Sequence, residues 1–243
     1  MKTIRLIEQS PKNLARIIAK KPLLLIPIGS VEWHSNHLPL GVDSLLSLAL
    51  CEEISARTGC IVAPLLTCGI CRDLQPERGY FGTVDTIREQ TLSNLVADLL
   101  HGYSKMGFRQ VLLFNGHFET EHFSAITEGM NKVSSIQGIF LTGLDLTKEK
   151  VQELDNVSLT WPYVGDHAAE WETSLMLYYY PDLVHMENAP ETIELDMDGL
   201  PEYLRRRYPR RASREYGQKL HSVMIKSGVK LVRQILKSSS TSV

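Results

Sequence analysis

The chain has 243 residues, 43% hydrophobic and 22% charged, with 26 Lys+Arg against 28 Asp+Glu for a formal net charge of −2. That composition excludes a disordered chain, and the near-neutral balance gives no bulk attraction to nucleic acid or to a membrane surface. Four cysteines are too few for a disulfide scaffold, and no apolar run approaches the ~18 residues of a spanning helix. Arg5 and Glu8 interrupt the start of the chain, where a signal peptide is continuously apolar, so the sequence reads as cytoplasmic. At about 150 residues per domain, one larger α/β domain over residues 1–243 is the economical reading, with Lys237–Val243 a frayed polar tail.

In chain order, Pro11–Lys21 reads as an opening helix, and Leu23–Ile28 as a short apolar strand of the buried parallel kind, ending at Gly29-Ser30. Asp43 to about Thr58 carries Leu46, Leu50 and Ile54 at helical spacing, with Gly59 as the stop. Cys60–Leu66 reads as a second strand. Thr86 and Glu89 form a capping box before a helix bearing Leu92, Leu95, Val96, Leu99 and Leu100. Gln110–Phe114 is a third strand, turned by Asn115-Gly116 toward a helix from about Glu119, and Gly138–Thr142 a fourth. Glu170–Tyr180 and about Ser213–Leu236 complete the helices. Strands alternating with helices imply a three-layer α/β/α sandwich around a mostly parallel sheet.

Three loops then deliver histidine together with carboxylate. The first strand empties into Glu32-Trp-His34-Ser-Asn-His37 with Asp43 at the next helix; the third ends in Asn115-Gly-His117-Phe-Glu119; and Asp166-His167-Ala-Ala-Glu170-Trp-Glu172 precedes a helix. In an open parallel sheet, sites form outside the carboxyl ends of the strands, and these loops are expected on that rim. Imidazole with carboxylate suits Zn²⁺, Mn²⁺ or Fe²⁺ without thiolate. Two histidines and three carboxylates are enough for two divalent ions sharing a carboxylate, a pair that lowers the pKa of water between them, with His167 left as the acid/base group.

These motifs resemble the creatininase family (creatinine amidohydrolases and relatives), in order and spacing, over about residues 23 to 180. The resemblance implies an α/β/α fold, a dinuclear metal centre, hydrolysis of an amide or cyclic amide in a small polar substrate, and a homo-oligomer, trimeric or hexameric. Carried onto this chain, Glu32, Asp43 and His117 would hold one ion and His34, Asp43 and Glu119 the other, with Glu172 open between ligand and support. His167, beside Asp166, matches the proton-shuttling histidine of the family. His37 and Asn115 match orienting positions. Two departures stand out: Tyr80-Phe-Gly82-Thr83 replaces Phe-Pro-Gly-Thr, and Cys68-Gly-Ile-Cys71-Arg72-Asp73 occupies the substrate-side loop. They widen the expected chemistry to a formamide deformylase, a peptidase, or a hydrolase opening a cyclic sugar-derived ketone at a carbon–carbon bond. A metal- or ligand-binding protein without turnover is the reading from another class.

Cys71, Arg72 and Trp161 are candidate substrate contacts, Arg72 for an anionic group, with Trp33 and Trp171 as further candidate walls. Cys68-x-x-Cys71 reads as pocket wall rather than redox pair, and Cys51 and Cys60 as core. Six arginines between Arg205 and Arg214 read as a solvated face or subunit contact, not a nucleic-acid site. His101, His122, His185 and His221 read as structural or surface residues.

Overall fold

The computed structural model of the chain describes residues 2–84, 87–142, 167–194 and 206–240. Its organising strand is β2 (Leu23–Gly29), buried along its whole length. β2 pairs in parallel with β3 (Ile61–Val62) on one edge and with β5 (Gln110–Asn115) on the other. β1 (Ile4–Arg5) extends the sheet beyond β3, β6 (Gln137–Thr142) beyond β5, and β4 (Leu66–Thr67) pairs with the last residues of β2. The order β1-β3-β2-β5-β6 reverses direction between β2 and β5. Their carboxyl ends, with Ile28 opposite Asn115, form the topological switch point where open α/β sheets place their sites.

Alternate residues of β2 feed opposite faces of the sheet, as the pleat requires. Leu23 and Leu25 pack with α2 (Val42–Thr58), α5 (Glu170–Tyr179) and α6 (Arg214–Ser240). Leu24, Ile26 and Ile28 pack with α1 (Pro11–Lys20), α3 (Glu89–Met106) and α4 (Thr120–Asn131). Helices cover both faces, so the strands are apolar runs instead of alternating ones.

Pro27 lacks an N–H, yet it sits inside this central strand. Leu25 O accepts from Ala63 N at 2.8 Å and Ile28 O from Gly116 N at 2.9 Å. Pro27 therefore faces the same edge as Leu25, in the interval between the β3 and β4 pairings. The expected strand Cys60–Leu66 is two short strands instead, because Pro64 lies between them. α3 starts at Glu89 behind Arg88, later than the expected capping box, whose Thr86 lies outside the described residues. α6 runs to Ser240, so the backbone of residues 237–240 is helical rather than frayed. An antiparallel pair, β7 (Ile193–Glu194) with β8 (Arg206–Arg207), has no expectation behind it.

Candidate metal centre

The site begins with two glycines. Gly29 ends β2 and Gly116 follows β5, and both lie against the first turn of α2. A Cβ on Gly29 would sit 2.5 Å from Ser44 N, and one on Gly116 would overlap the carbonyl of Asp43. Removing both side chains lets the helix terminus drop into the switch point and carry Asp43 with it. The Asp43 carboxylate is 3% exposed and accepts from Ser30 Oγ at 2.6 Å, while Ser44 Oγ donates to Ser30 O at 2.9 Å. The N-terminal turn of a helix further favours a carboxylate.

Around Asp43 stand three imidazoles, each held from outside by a backbone carbonyl. His34 Nδ1 lies 3.1 Å from Glu32 O, His117 Nε2 2.8 Å from Ile70 O, and His167 Nε2 2.7 Å from Trp33 O. A carbonyl only accepts, so these nitrogens carry the N–H and, in the neutral rings, the inner nitrogens are acceptors. The inner nitrogens nevertheless face carboxylates. His34 Nε2 is 3.3 Å from Asp43 Oδ1, 3.5 Å from Glu172 Oε2 and 4.0 Å from Glu32 Oε1. His117 Nδ1 is 3.1 Å from Asp43 Oδ2 and 3.2 Å from Glu32 Oε1, and His167 Nδ1 is 3.4 Å from the same Glu32 oxygen. Buried His34 Nε2 has no hydrogen-bond partner of acceptable geometry. Acceptors facing acceptors in a buried pocket need positive charge between them, from protons or from a metal. A ring fixed on one side by a carbonyl and presenting its other nitrogen is the usual support for a metal ligand.

Among the described residues, ligand atoms converge in three groups, each spanning no more than 4.8 Å: Glu32, Asp43 and His117; His34, Asp43 and Glu172; and Glu32, His34 and His167. Asp43, Glu32 and His34 each belong to two. This donor set of imidazole and carboxylate fits divalent Zn or Mn.

With protons as the only positive charge, the carboxylates decide the titration. Burial alone would lower His34, but Asp43, then Glu172 and Glu32, lift it to about 10. His117 is likewise raised against its burial, by Glu32 and Asp43. Asp43 is held well below the ordinary carboxylate range, its burial outweighed by His34 and His117. Burial dominates at Glu172, pushed up to about 7, and at His167, pushed down to about 4 with help from the charge on His34.

Glu172, left open by the sequence between ligand and support, joins one of these groups. Glu172, reached from the first turn of α5, accepts from Ala168 N at 2.7 Å, where Ala168 takes a left-handed backbone (φ 54°) that aims its N–H at the carboxylate. Glu119 lies in none of the three groups. Its Oε2 accepts from Arg72 N at 3.3 Å, and burial pushes its carboxyl up to about 7. The Arg72 guanidinium is exposed and meets Glu89 at 3.4 Å. Cys71 is buried, and burial, followed by the charge of Glu32, pushes its thiol up. Cys71 packs in the core on one face of the sheet and Cys68 against the core on the other, which separates the pair as redox partners.

His37 Nε2 lies 3.0 Å from Thr173 Oγ1, tying the first motif to α5. Asn115 Nδ2 donates to His117 O, and its Oδ1 accepts from His117 N at 3.3 Å. His122, read from sequence as structural or surface, is fully buried 3.0 Å from Asn115 Oδ1, with its ring 4.9 Å from that of His117. Ser30 and Thr173 had no signal beyond lying beside motif residues. Trp33 stacks on His167 with centroids 6.0 Å apart and meets Tyr80 edge-on at 5.0 Å, whereas Trp171 is core. Asp166 and Trp161 lie outside the described residues.

Of the remaining histidines, His221 is buried 2.6 Å from the Tyr179 hydroxyl, and His185 is exposed beside Glu187. Arg206 and Arg210 pair with Glu194 and Glu191, which neutralises part of the arginine cluster locally. No helix among the described residues is long and apolar enough to cross a membrane.

A family model described as creatininase (creatinine amidohydrolase) matches residues 8–232. Creatinine amidohydrolase of Pseudomonas putida is 29% identical over 195 residues, covering 72% of this chain and 71% of that protein. The 3-dehydro-scyllo-inosose hydrolase of Thermotoga maritima is 27% identical over 187 residues, covering 74% of this chain but 58% of that enzyme. Among solved structures, a crystal structure of creatinine amidohydrolase superposes with a TM-score of 0.81 at 25% identity, covering 97% of this chain and 99% of that one. A manganese creatininase and a zinc–zinc form of a creatininase variant match equally well.

Proposed function

This chain belongs to the creatininase family of hydrolases, and on that premise we propose that it is a metal-dependent hydrolase cleaving a carbon–nitrogen bond, in an amide or cyclic amide, of a small polar substrate. The observation that carries the proposal is the set of three outward-anchored imidazoles whose inner nitrogens face buried carboxylates. Glu32, Asp43 and His117 would hold one divalent ion and His34, Asp43 and Glu172 a second, with Asp43 shared. When bound, such a pair lowers the pKa of water and polarises a carbonyl oxygen.

The chain's own residues supply the rest. Ser30 and the α2 terminus hold Asp43 in place, and Ala168 N–H fixes Glu172. His167 is the most exposed of the three imidazoles, its side chain 16% exposed, and in the metal-free protein burial, with the charge on His34, holds it down at about 4. It is placed to take a proton from the attacking water and deliver it to the leaving nitrogen. Trp33, stacked on His167, walls that side of the pocket. Self-association belongs to the same reading and is measured by sedimentation.

The experiment is elemental analysis of purified protein followed by turnover on lactams, formamides and cyclic polyol ketones, before and after chelation. About two ions per chain and chelator-sensitive lactam or formamide hydrolysis support the proposal. Turnover of the ketone alone would move the reaction to a carbon–carbon bond, the chemistry named for the Thermotoga maritima relative. Full activity in a metal-free preparation would refute the metal reading.

A further inference from the structure

One side-chain amide grips the backbone of His117 on both sides. Asn115 Nδ2 donates to His117 O, and Asn115 Oδ1 accepts from His117 N at 3.3 Å. A backbone carbonyl only accepts and a backbone N–H only donates, so these two partners fix which end of the amide is oxygen. A third group meets that oxygen: His122 Nε2, at 3.0 Å. Facing an acceptor, the ring nitrogen has to donate, so His122 carries a proton on Nε2. His122 stands in the first turn of α4, and this bond ties that turn back to the last residue of β5. The ring is fully buried, and its Nδ1 has no partner among the described residues. Its plane crosses that of His117 at 79°, with centroids 4.9 Å apart.

We infer that His122 is a positioning residue of the metal centre: its Nε2–H locks the Asn115 amide in the orientation that grips both backbone groups of His117, and so sets where the His117 ring stands before Asp43 and Glu32. A flipped amide would put Nδ2 against two N–H donors and Oδ1 against a carbonyl, in a place that water does not reach. An apolar side chain in place of His122 would leave Oδ1 with the 3.3 Å bond alone. The division of labour is clear from the contacts. Ile70 O holds the outer nitrogen of the His117 ring at 2.8 Å, and Asn115 with His122 holds the backbone from which that ring hangs. The effect belongs to the group of Glu32, Asp43 and His117, because His34 and Glu172 reach the other shared group from different elements. The inference rests on the proposed reading of His117 as a ligand.

The test is zinc affinity at each position, by competition with a chromophoric chelator, for wild type, His122→Phe and His122→Gln. Phenylalanine keeps a buried ring and loses the donor, whereas glutamine keeps an N–H donor near the place of Nε2. His122→Phe should weaken one zinc ion about 10-fold and leave the other within about threefold, and His122→Gln should hold both within about threefold of wild type. In metal-free wild type at neutral pH, nitrogen-15 NMR of the His122 ring should show a proton on Nε2, a readout that needs no variant to fold. An Nε2 without a proton overturns the inference. So does a folded His122→Phe that binds zinc as wild type does or loses both ions equally, and so does a folded His122→Gln that fails to recover the affinity. Each of these leaves the metal reading standing, whereas wild type that takes up no zinc overturns that reading and this inference together.

Discussion

Asp43 is the residue common to the two donor groups proposed to hold the ions, Glu32/Asp43/His117 and His34/Asp43/Glu172, whereas Glu172 belongs to one of them. Asp43→Asn is therefore expected to empty both positions and Glu172→Gln only one, read as ions per chain by elemental analysis. Equal loss from the two variants would remove the distinction between them. The protonation pattern makes a second prediction. His34 is held protonated up to about 10, so at pH 8 its proton must leave before its inner nitrogen can bind metal, and His117 is raised in the same direction. Affinity should rise with pH below about 10, with at least one proton released per chain at pH 8. Below pH 7, where Glu172 is also protonated, a further one is released. Calorimetry in buffers of different ionisation enthalpy counts them, and metal uptake without proton release would contradict the cluster.

The elements deliver these residues through close approach, and that can be tested at the glycines. Gly29→Ala forces a Cβ to 2.5 Å from backbone at the start of α2, which cannot rotate away. A cost of about 1–3 kcal/mol is expected, or roughly 2–4 °C of melting temperature per kcal/mol for a chain of this size, together with weakened metal binding as Asp43 shifts. Gly102, inside α3 with nothing near its missing Cβ, is the contrast. Gly102→Ala should stabilise by about 0.5–1 kcal/mol with metal affinity unchanged. Thermal melts and metal titrations of the two variants separate close approach from ordinary glycine entropy. The same distinction explains what could be read from sequence. β2, β5 and the long helices announce themselves by apolar runs and period, whereas two-residue strands such as β1, β7 and β8 are too short to carry a pattern. The His–carboxylate pairs were legible because each is local to one loop. That Glu119 would lie outside the converging groups and Glu172 within one was not, since Arg72 N–H takes Glu119 from far off in sequence and Glu172 meets His34 across a still longer span. Thr173 supports the site through a contact far off in sequence, whereas Ser30 lies just past β2 and His122 only a few residues past Asn115.

At the scale of the whole molecule, two apolar cores pack against the sheet, and at its carboxyl rim the fold buries Glu32, Asp43 and Glu172 together. Such a cluster works against stability unless protons or a metal supply positive charge, so on the proposed metal reading binding and folding are linked. An ion present at 100 times its dissociation constant stabilises by about 2.7 kcal/mol, and chelation should lower the melting temperature by roughly 5–10 °C. Glu172 gives the sharper form of this argument. Burial raises its carboxyl from 4.5 to about 7, so in the metal-free protein its neutral form favours folding at low pH and that contribution is lost as pH rises through about 7. At pH 8 the metal-free protein carries a buried anion that Glu172→Gln removes. The variant should therefore melt above wild type in chelator and below it in saturating metal, because it has given up one of the residues proposed to hold the second ion. Melting curves at pH 8 with and without chelator decide the point: a crossing of the two proteins makes the carboxylate a functional group kept at the expense of the metal-free fold, and the same order under both conditions rules that out.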